Sequence, residues 1–243
     1  ADATRLASIL SMDRLYPDPN RLITFLDNHD RPRFSSTCGS PDQAEDALRI
    51  LVGLRGRNSW TWGTEAGATG EHEPENRATI AFQEFTGPAA DRLQEAIAFR
   101  ASAPVLQKGL SSLVYLDSDT AVWLRVHEQS SALVIFSKTA RSDLQLPQWI
   151  HALRPQAQLG SAQITEDALE VGEGSALLLL EDSQAASGFF AAELKRKDAP
   201  EFASVQFTTE TEGAISGAGP ELGNWDTSKA LKINQDGLSI EVP

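Results

Sequence analysis

Residues 21–26, Arg21-Leu22-Ile23-Thr24-Phe25-Leu26, form a short β-leaning run without polar alternation, the pattern of a strand buried on both faces. It stops at the polar, irregular stretch Asp27-Asn28-His29-Asp30-Arg31-Pro32-Arg33-Phe34. Ser40-Pro41-Asp42-Gln43 then predicts a helix start, with Ser as the cap, Pro in the first position and Gln three residues after the cap. Ala44, Ala47, Leu48, Leu51 and Val52 follow at helical spacing and give that helix one apolar face. Asn58-Ser59-Trp60-Thr61-Trp62 predicts a second short strand, running into a loop that contains Gly63, Gly67 and Gly70. A second helix is expected from Pro88 to about Ala101, with Leu93, Ala96 and Ile97 facing inward. Strand, helix, strand, helix is the order of a parallel α/β unit.

The pattern changes after Pro104. Leu113–Tyr115, Ala121–Val126, Ala132–Phe136, Ile164–Val171 and Ser175–Leu180 read as short strands separated by turn-rich segments, an all-β antiparallel sandwich. Residues 183–201 are rich in Ala, Ser and Lys and read as a linker, in which Lys195-Arg196-Lys197 is a solvated face rather than a binding patch. From residue 202 onward Ser204-Val205-Gln206-Phe207-Thr208-Thr209 alternates cleanly and opens a second β module.

Composition narrows the function classes. The chain has 243 residues with 41% hydrophobic and 23% charged, ordinary for a globular protein. Its 34 acidic against 21 basic side chains give a net charge of -13, which repels polyanions, so neither nucleic acid nor a membrane is the expected partner. The longest apolar run, Ala176–Leu180, falls far short of the ~20 residues of a membrane span. Cys38 is the one cysteine, which excludes an internal disulfide and a cysteine-cluster metal site. The chain opens on Ala1 without a leader-like pattern and closes in the strand-like Leu238–Pro243, so both ends read as those of a piece of a longer protein.

In parallel α/β folds, reactive groups sit on loops at the carboxyl ends of strands, which is where Asn28-His29-Asp30 falls. Asn, His and Asp are also common turn formers, and spacing alone favours that structural reading. In the functional reading Asp30 is a carboxylate that stabilises developing positive charge, and His29 a neutral donor to a substrate hydroxyl. Glycoside hydrolysis needs carboxylates of this kind because its transition state resembles an oxocarbenium ion.

The segment Phe25-Leu26-Asp27-Asn28-His29-Asp30-Arg31-Pro32-Arg33-Phe34 resembles the fourth signature region of the α-amylase family, glycoside hydrolase family 13. In that family the segment ends the seventh strand of a TIM barrel. The resemblance implies that Asp30 is the non-nucleophilic carboxylate that stabilises the transition state, and that His29 bonds glucose hydroxyls at the cleavage subsite. Gly56, Gly63 and Thr64-Glu65 have the family's spacing around the eighth strand, with Asn58 in place of the usual Pro and Trp62 in place of a frequent Tyr. Gly70-Glu71-His72-Glu73-Pro74-Glu75-Asn76-Arg77 is similar to the loop that follows, in which an acidic residue and an Arg four positions later hold a donor-side sugar. Those roles carry over to Glu73 and Arg77, against the plainer reading of an exposed loop triplet at Glu71–Glu73. Phe99-Arg100 with Ala103-Pro104-Val105-Leu106-Gln107-Lys108-Gly109 looks like the family's entry into its β-sandwich domain C. Trp123, alternating with Leu124 on a strand, reads as core rather than as a carbohydrate platform.

Ile215-Ser216-Gly217-Ala218-Gly219-Pro220-Glu221-Leu222-Gly223-Asn224-Trp225-Asp226 resembles a starch-binding domain of carbohydrate-binding module family 20. There the Trp of Leu-Gly-Asn-Trp stacks on a glucose ring, a role that falls to Trp225; burial between sheets is the structural alternative. The expected fold class is therefore α/β plus all-β: the C-terminal part of a TIM (β/α)8 barrel over residues 1–103, a domain C sandwich over 104–182, the linker, and a partial starch-binding module over 202–243.

A retaining glycosidase needs a nucleophile and a separate general acid. The family carries them on strands four and five, and no Asp or Glu in residues 1–20 stands in that motif context. The resemblance thus implies a parent acting on α-1,4-glucosidic bonds of starch and a chain that is silent by itself. With about 20 residues between Leu180 and Phe202 there is no room for the extra domain of cyclodextrin-forming relatives, which favours α-amylase over transglycosylase. The alternative from another class is a non-catalytic glucan-binding protein on the same scaffold. No cofactor is expected of these residues; calcium and secretion to the extracellular space are what the resemblance implies for the parent, and oligomeric state leaves no mark in the sequence.

Overall fold

The Ser40 hydroxyl accepts from the Gln43 N–H at 3.2 Å, and the Gln43 side chain accepts from the Gly39 N–H at 2.8 Å. This reciprocal cap opens the helix the sequence predicts. The computed structural model describes residues 3–81, 86–197, 203–207, 213–215, 231–233 and 238–242. Its helices are α1 (Ala3–Ser11), α2 (Phe34–Thr37), α3 (Pro41–Gly53), α4 (Pro88–Ser102), α5 (Pro104–Lys108), α6 (Gln148–His151) and α7 (Gln184–Lys197). The chain divides into two units, Ala1–Leu194 and Lys195–Pro243.

In the first unit, β1 (Ile23–Thr24) lies parallel to β2 (Arg57–Asn58), with α3 as the crossover between them. Both strands are two residues long, shorter than the sequence runs predicted. Ile23 is 69% and Phe25 47% exposed, which corrects the expectation of a strand buried on both faces. The cause is local: among the described residues, β1 and β2 pair only with each other, so no further strand covers these side chains. On α4, Leu93 and Ala96 are buried as expected, but Ile97 faces outward and Ala90 takes its place.

Beyond α5 the strands β3 (Leu110–Leu116), β4 (Thr120–His127), β5 (Ser130–Ser137), β6 (Arg141–Leu144), β7 (Pro155–Leu159), β8 (Ala162–Ile164), β9 (Leu169–Val171) and β10 (Gly174–Leu180) form two sheets. One has the order β3-β4-β5-β10-β7 and the other β6-β9-β8, with every pairing antiparallel. The run expected as one strand over Ile164–Val171 is broken into β8 and β9 by a turn in which the Thr165 N–H donates to the Ala168 carbonyl. Val122, Leu124, Leu133, Ile135 and Leu178 of the larger sheet share a core with Leu144 and Leu169 of the smaller one. The alternate positions, among them Ala121, Trp123, Val134 and Leu177, pack instead with Ala3, Ala7, Val52 and Ala96 of the helices. The larger sheet is therefore covered on both faces, which is why β4 carries no polar alternation. Trp123 is core, as expected, at 2% exposure.

Two contacts set the distance between α3 and this sheet. A Cβ at Gly53 would stand 2.4 Å from Leu177 Cδ2 and 2.9 Å from Val134 Cγ1, so only glycine lets the helix approach this closely. The Asp46 carboxylate accepts from the Ser175 N–H at 2.8 Å and from its hydroxyl at 2.9 Å, which ties the middle of α3 to β10.

The stretch read as a linker is the helix α7. The Ser183 hydroxyl caps it by accepting from the Ala186 N–H at 3.0 Å, Ala186 is buried, and Phe189 and Phe190 pack on the sandwich core. In the second unit, β11 (Ala203–Phe207) pairs antiparallel with β14 (Leu238–Val242), and β12 (Gly213–Ile215) with β13 (Leu231–Ile233).

Candidate functional site

The loop that leaves β1 is held in shape by its own residues. Asn28 Oδ1 accepts from the Asp30 N–H at 3.0 Å, an Asx turn that places His29 and Asp30 at the tip. Beneath the tip, Asp27 is 6% and Arg33 3% exposed, and their side chains form an ion pair at 3.4 Å. Asp27 Oδ2 also accepts from the Phe34 N–H at 2.7 Å, and the Asp27 carbonyl from the Thr61 hydroxyl at 2.8 Å. The base of the loop is thus rigid while its tip stands in solvent, with the His29 and Asp30 side chains 69% and 65% exposed.

A second loop, after β2, closes against the first. The Arg33 N–H donates to the Gly70 carbonyl at 2.8 Å, and the Gly70 N–H donates to the Ser36 hydroxyl at 2.7 Å. Gly70 has φ 147°, and a Cβ there would meet Asn76 N at 2.5 Å, so the second loop folds back on itself this closely only through glycine. Asn76, buried within the second loop, donates to the carbonyls of His29 at 3.2 Å and Arg31 at 3.1 Å. Its neighbour Arg77 donates from Nε to the His29 carbonyl at 3.1 Å.

These bonds bring four of the sequence-predicted residues together. The Arg77 guanidinium lies 3.5 Å from Asp30 Oδ1 and 3.1 Å from Glu73 Oε1, so one cation bridges two carboxylates from different loops. His29 Nε2 lies 3.2 Å from the same Asp30 oxygen. The cluster offers an acceptor carboxylate, an imidazole and a forked donor on one open surface, a set suited to polar hydroxyl-bearing molecules. Trp225 lies outside the described residues.

Sequence reasoning gave no role to Asp27, Arg33 or Asn76, which hold the others in place. The one signal for the first two was a pair of opposite charges bracketing the His29-Asp30 turn; for Asn76 nothing short of the fold would do. Among the described residues no group of three or more His, Cys, Asp or Glu side chains is arranged to hold a metal ion. No described helix is long and apolar enough to cross a membrane.

No protein-family model matches the chain. A cyclomaltodextrin glucanotransferase of Paenibacillus macerans is 26% identical over 219 residues, 88% of this chain and 28% of that protein. An α-amylase of Niallia circulans is 28% identical over 127 residues, 52% of this chain and 24% of that protein. The chain thus spans about a quarter of the length of the curated relatives it matches. Among solved structures, an α-amylase of Geobacillus thermoleovorans in complex with acarbose superposes with a TM-score of 0.62 at 22% identity, covering 76% of this chain and 44% of that one. A γ-CGTase from alkalophilic Bacillus clarkii superposes with a TM-score of 0.61 at 18% identity, covering 100% of this chain and 51% of that one. The fold is therefore shared with these proteins, and the chain's homologues are cyclomaltodextrin glucanotransferases and α-amylases, enzymes of the α-amylase family.

Proposed function

We propose that this chain belongs to an α-glucan hydrolase of the α-amylase type, secreted and acting on the α-1,4 bonds of starch, and carries part of its active site. Asp30 is the carboxylate that stabilises the oxocarbenium-like transition state, and His29 bonds a sugar hydroxyl at the cleavage point. Glu73 and Arg77 hold the sugar on the donor side. Residues 104–182 form the family's domain C, and Trp225 contributes a stacking platform of a starch-binding module. The nucleophile and general acid are supplied by chain other than these residues, so this polypeptide alone binds glucan without cleaving it.

The observation that carries the reading is the Arg77 bridge: one guanidinium held between Asp30 and Glu73 while bonded to the backbone of His29. A linear malto-oligosaccharide titrated calorimetrically into the chain should bind weakly, and Arg77→Ala should lower the association constant about tenfold, the worth of one charge-assisted hydrogen bond. Binding that Arg77→Ala leaves untouched overturns the site assignment. Release of reducing ends from starch by the chain alone overturns its silence.

Transglycosylation is the second reading, favoured by the names of the relatives, most of which are cyclomaltodextrin glucanotransferases. One solved enzyme of that name is described as having a three-domain ABC distribution, so the short Leu180–Phe202 interval does not by itself separate the two reactions. Ring products rather than new reducing ends, from a polypeptide that includes this chain and the missing carboxylates, would decide for it.

A further inference from the structure

At the amino ends of β1 and β2, opposite to the Asp30 loop, lies a cavity of about 390 Å³. In a chain of net charge -13 its charged lining is four cations, Arg21, Arg57, Arg100 and Lys108, against the single carboxylate of Asp18. Asp18 is already engaged, accepting from the Asn20 N–H at 3.1 Å. Arg100 donates to the carbonyls of Leu54 at 2.9 Å and Gly56 at 2.6 Å, and also to that of Val52. Among the described residues it bonds no carboxylate. Arg21, Arg57 and Lys108 form no ion pair among the described residues.

Behind the cavity wall stands a second guanidinium in the same condition. Arg125 is fully buried, and its partners are neutral: Asn20 Oδ1 at 3.1 Å, the Ser111 hydroxyl at 2.9 Å and the Leu106 carbonyl at 3.1 Å. Among the described residues its Nε has no hydrogen-bond partner. Asn20, which lines the cavity, is the link between Arg125 and the open space. Burial, followed by repulsion from Arg100, pushes Arg125 down to about 9. The Asp13 carboxylate, whose charge acts favourably on Arg125, is paired with Arg55 at 2.8 Å or less. Buried cations are ordinarily matched by an anion, and among the described residues neither Arg100 nor Arg125 bonds one.

We infer that this cavity is a binding site for a small multivalent oxyanion of the phosphate class, which meets the cations of its lining, Arg21, Arg57 and Lys108, directly. The inference is independent of the glucan site, which lies at the other end of the strands. An anion that binds only the folded chain raises its melting temperature by mass action.

The test is thermal unfolding of the whole chain in inorganic phosphate against sodium chloride of equal ionic strength, repeated with a phosphorylated monosaccharide. Millimolar phosphate should raise Tm by about 2 °C or more beyond the chloride control. A larger rise with the sugar phosphate would identify a phosphomonoester as the occupant, and an equal or smaller one the free ion. The increment should vanish in Arg21→Gln/Arg57→Gln, whose side chains are exposed and unpaired, and survive in Arg57→Lys, which keeps the charge. Equal melting in phosphate and chloride, or an increment retained by the double variant, overturns the site.

Discussion

The two sheet systems of the first unit differ in almost every physical respect. The β1–β2 pair is two residues long on each side, leaves Ile23 and Phe25 in solvent, and carries the polar loops. The β3-β4-β5-β10-β7 sheet is buried on both faces and carries no candidate chemistry. The stability of the unit therefore rests on the sandwich, and the candidate site is mounted on a short βαβ piece that packs on it through α3. Loops that bind ligands are commonly supported in this way by a scaffold that does none of the chemistry.

The sharpest way to break that contrast is a pair of truncations. Leu177→Ala in the doubly covered sheet should cost about 2–5 kcal/mol, whereas Ile23→Ala on β1 should stay within about 0.5 kcal/mol. Urea unfolding of both variants measures the difference, and equal losses would mean that the site end is as firmly packed as the sandwich. A smaller effect is expected where the two systems touch. Gly53→Ala must displace Leu177 and Val134 and should cost about 1–3 kcal/mol by overpacking, read from the same curves.

The smallest effect concerns pH at the sandwich edge. The Arg141 guanidinium at 2.9 Å, with the N–H groups of Asp119 and Thr120 and the Tyr115 hydroxyl, holds the Asp117 carboxyl well below the usual carboxylate range. A group depressed by folding contributes stability above its unfolded value and loses it as pH falls toward the folded one. Asp117→Asn should thus lower stability slightly at neutral pH and flatten its decline below about pH 4. Acid titrations of wild type and variant with the same slope would remove Asp117 from the account.

How much of this was legible in the sequence depended on whether the cause was local. The α3 cap was readable because Ser40, Pro41 and Gln43 act within one turn. So was the grouping of His29 and Asp30, adjacent on one loop, and their approach to Glu73 and Arg77 followed from a family resemblance rather than from spacing. The exposure of Ile23 and Phe25 was hidden because apolar character says nothing about whether a neighbouring strand is present. The helix at Gln184–Lys197 was missed because Ala and Lys composition was weighed as flexible, although Ser183 three residues before Ala186 is a cap signal and both phenylalanines face the core. The Asp27–Arg33 pair left only its two opposite charges on either side of the turn, and Asn76 depends on two loops meeting across 45 to 47 residues, which no local pattern records.

The bond from Asp46 to Ser175 joins residues on either side of the Ala103–Pro104 junction, where the chain passes from α/β to all-β. Together with the Gly53 contact, it makes the helices one wall of the sandwich's own sheet. The junction is then a change of architecture without being a line of weakness. Backbone amides of α3 and β10 should exchange with solvent through the same opening event, and a protease should find no privileged cut between the two halves. The parts of the molecule that differ most in appearance would rise and fall as one cooperative body.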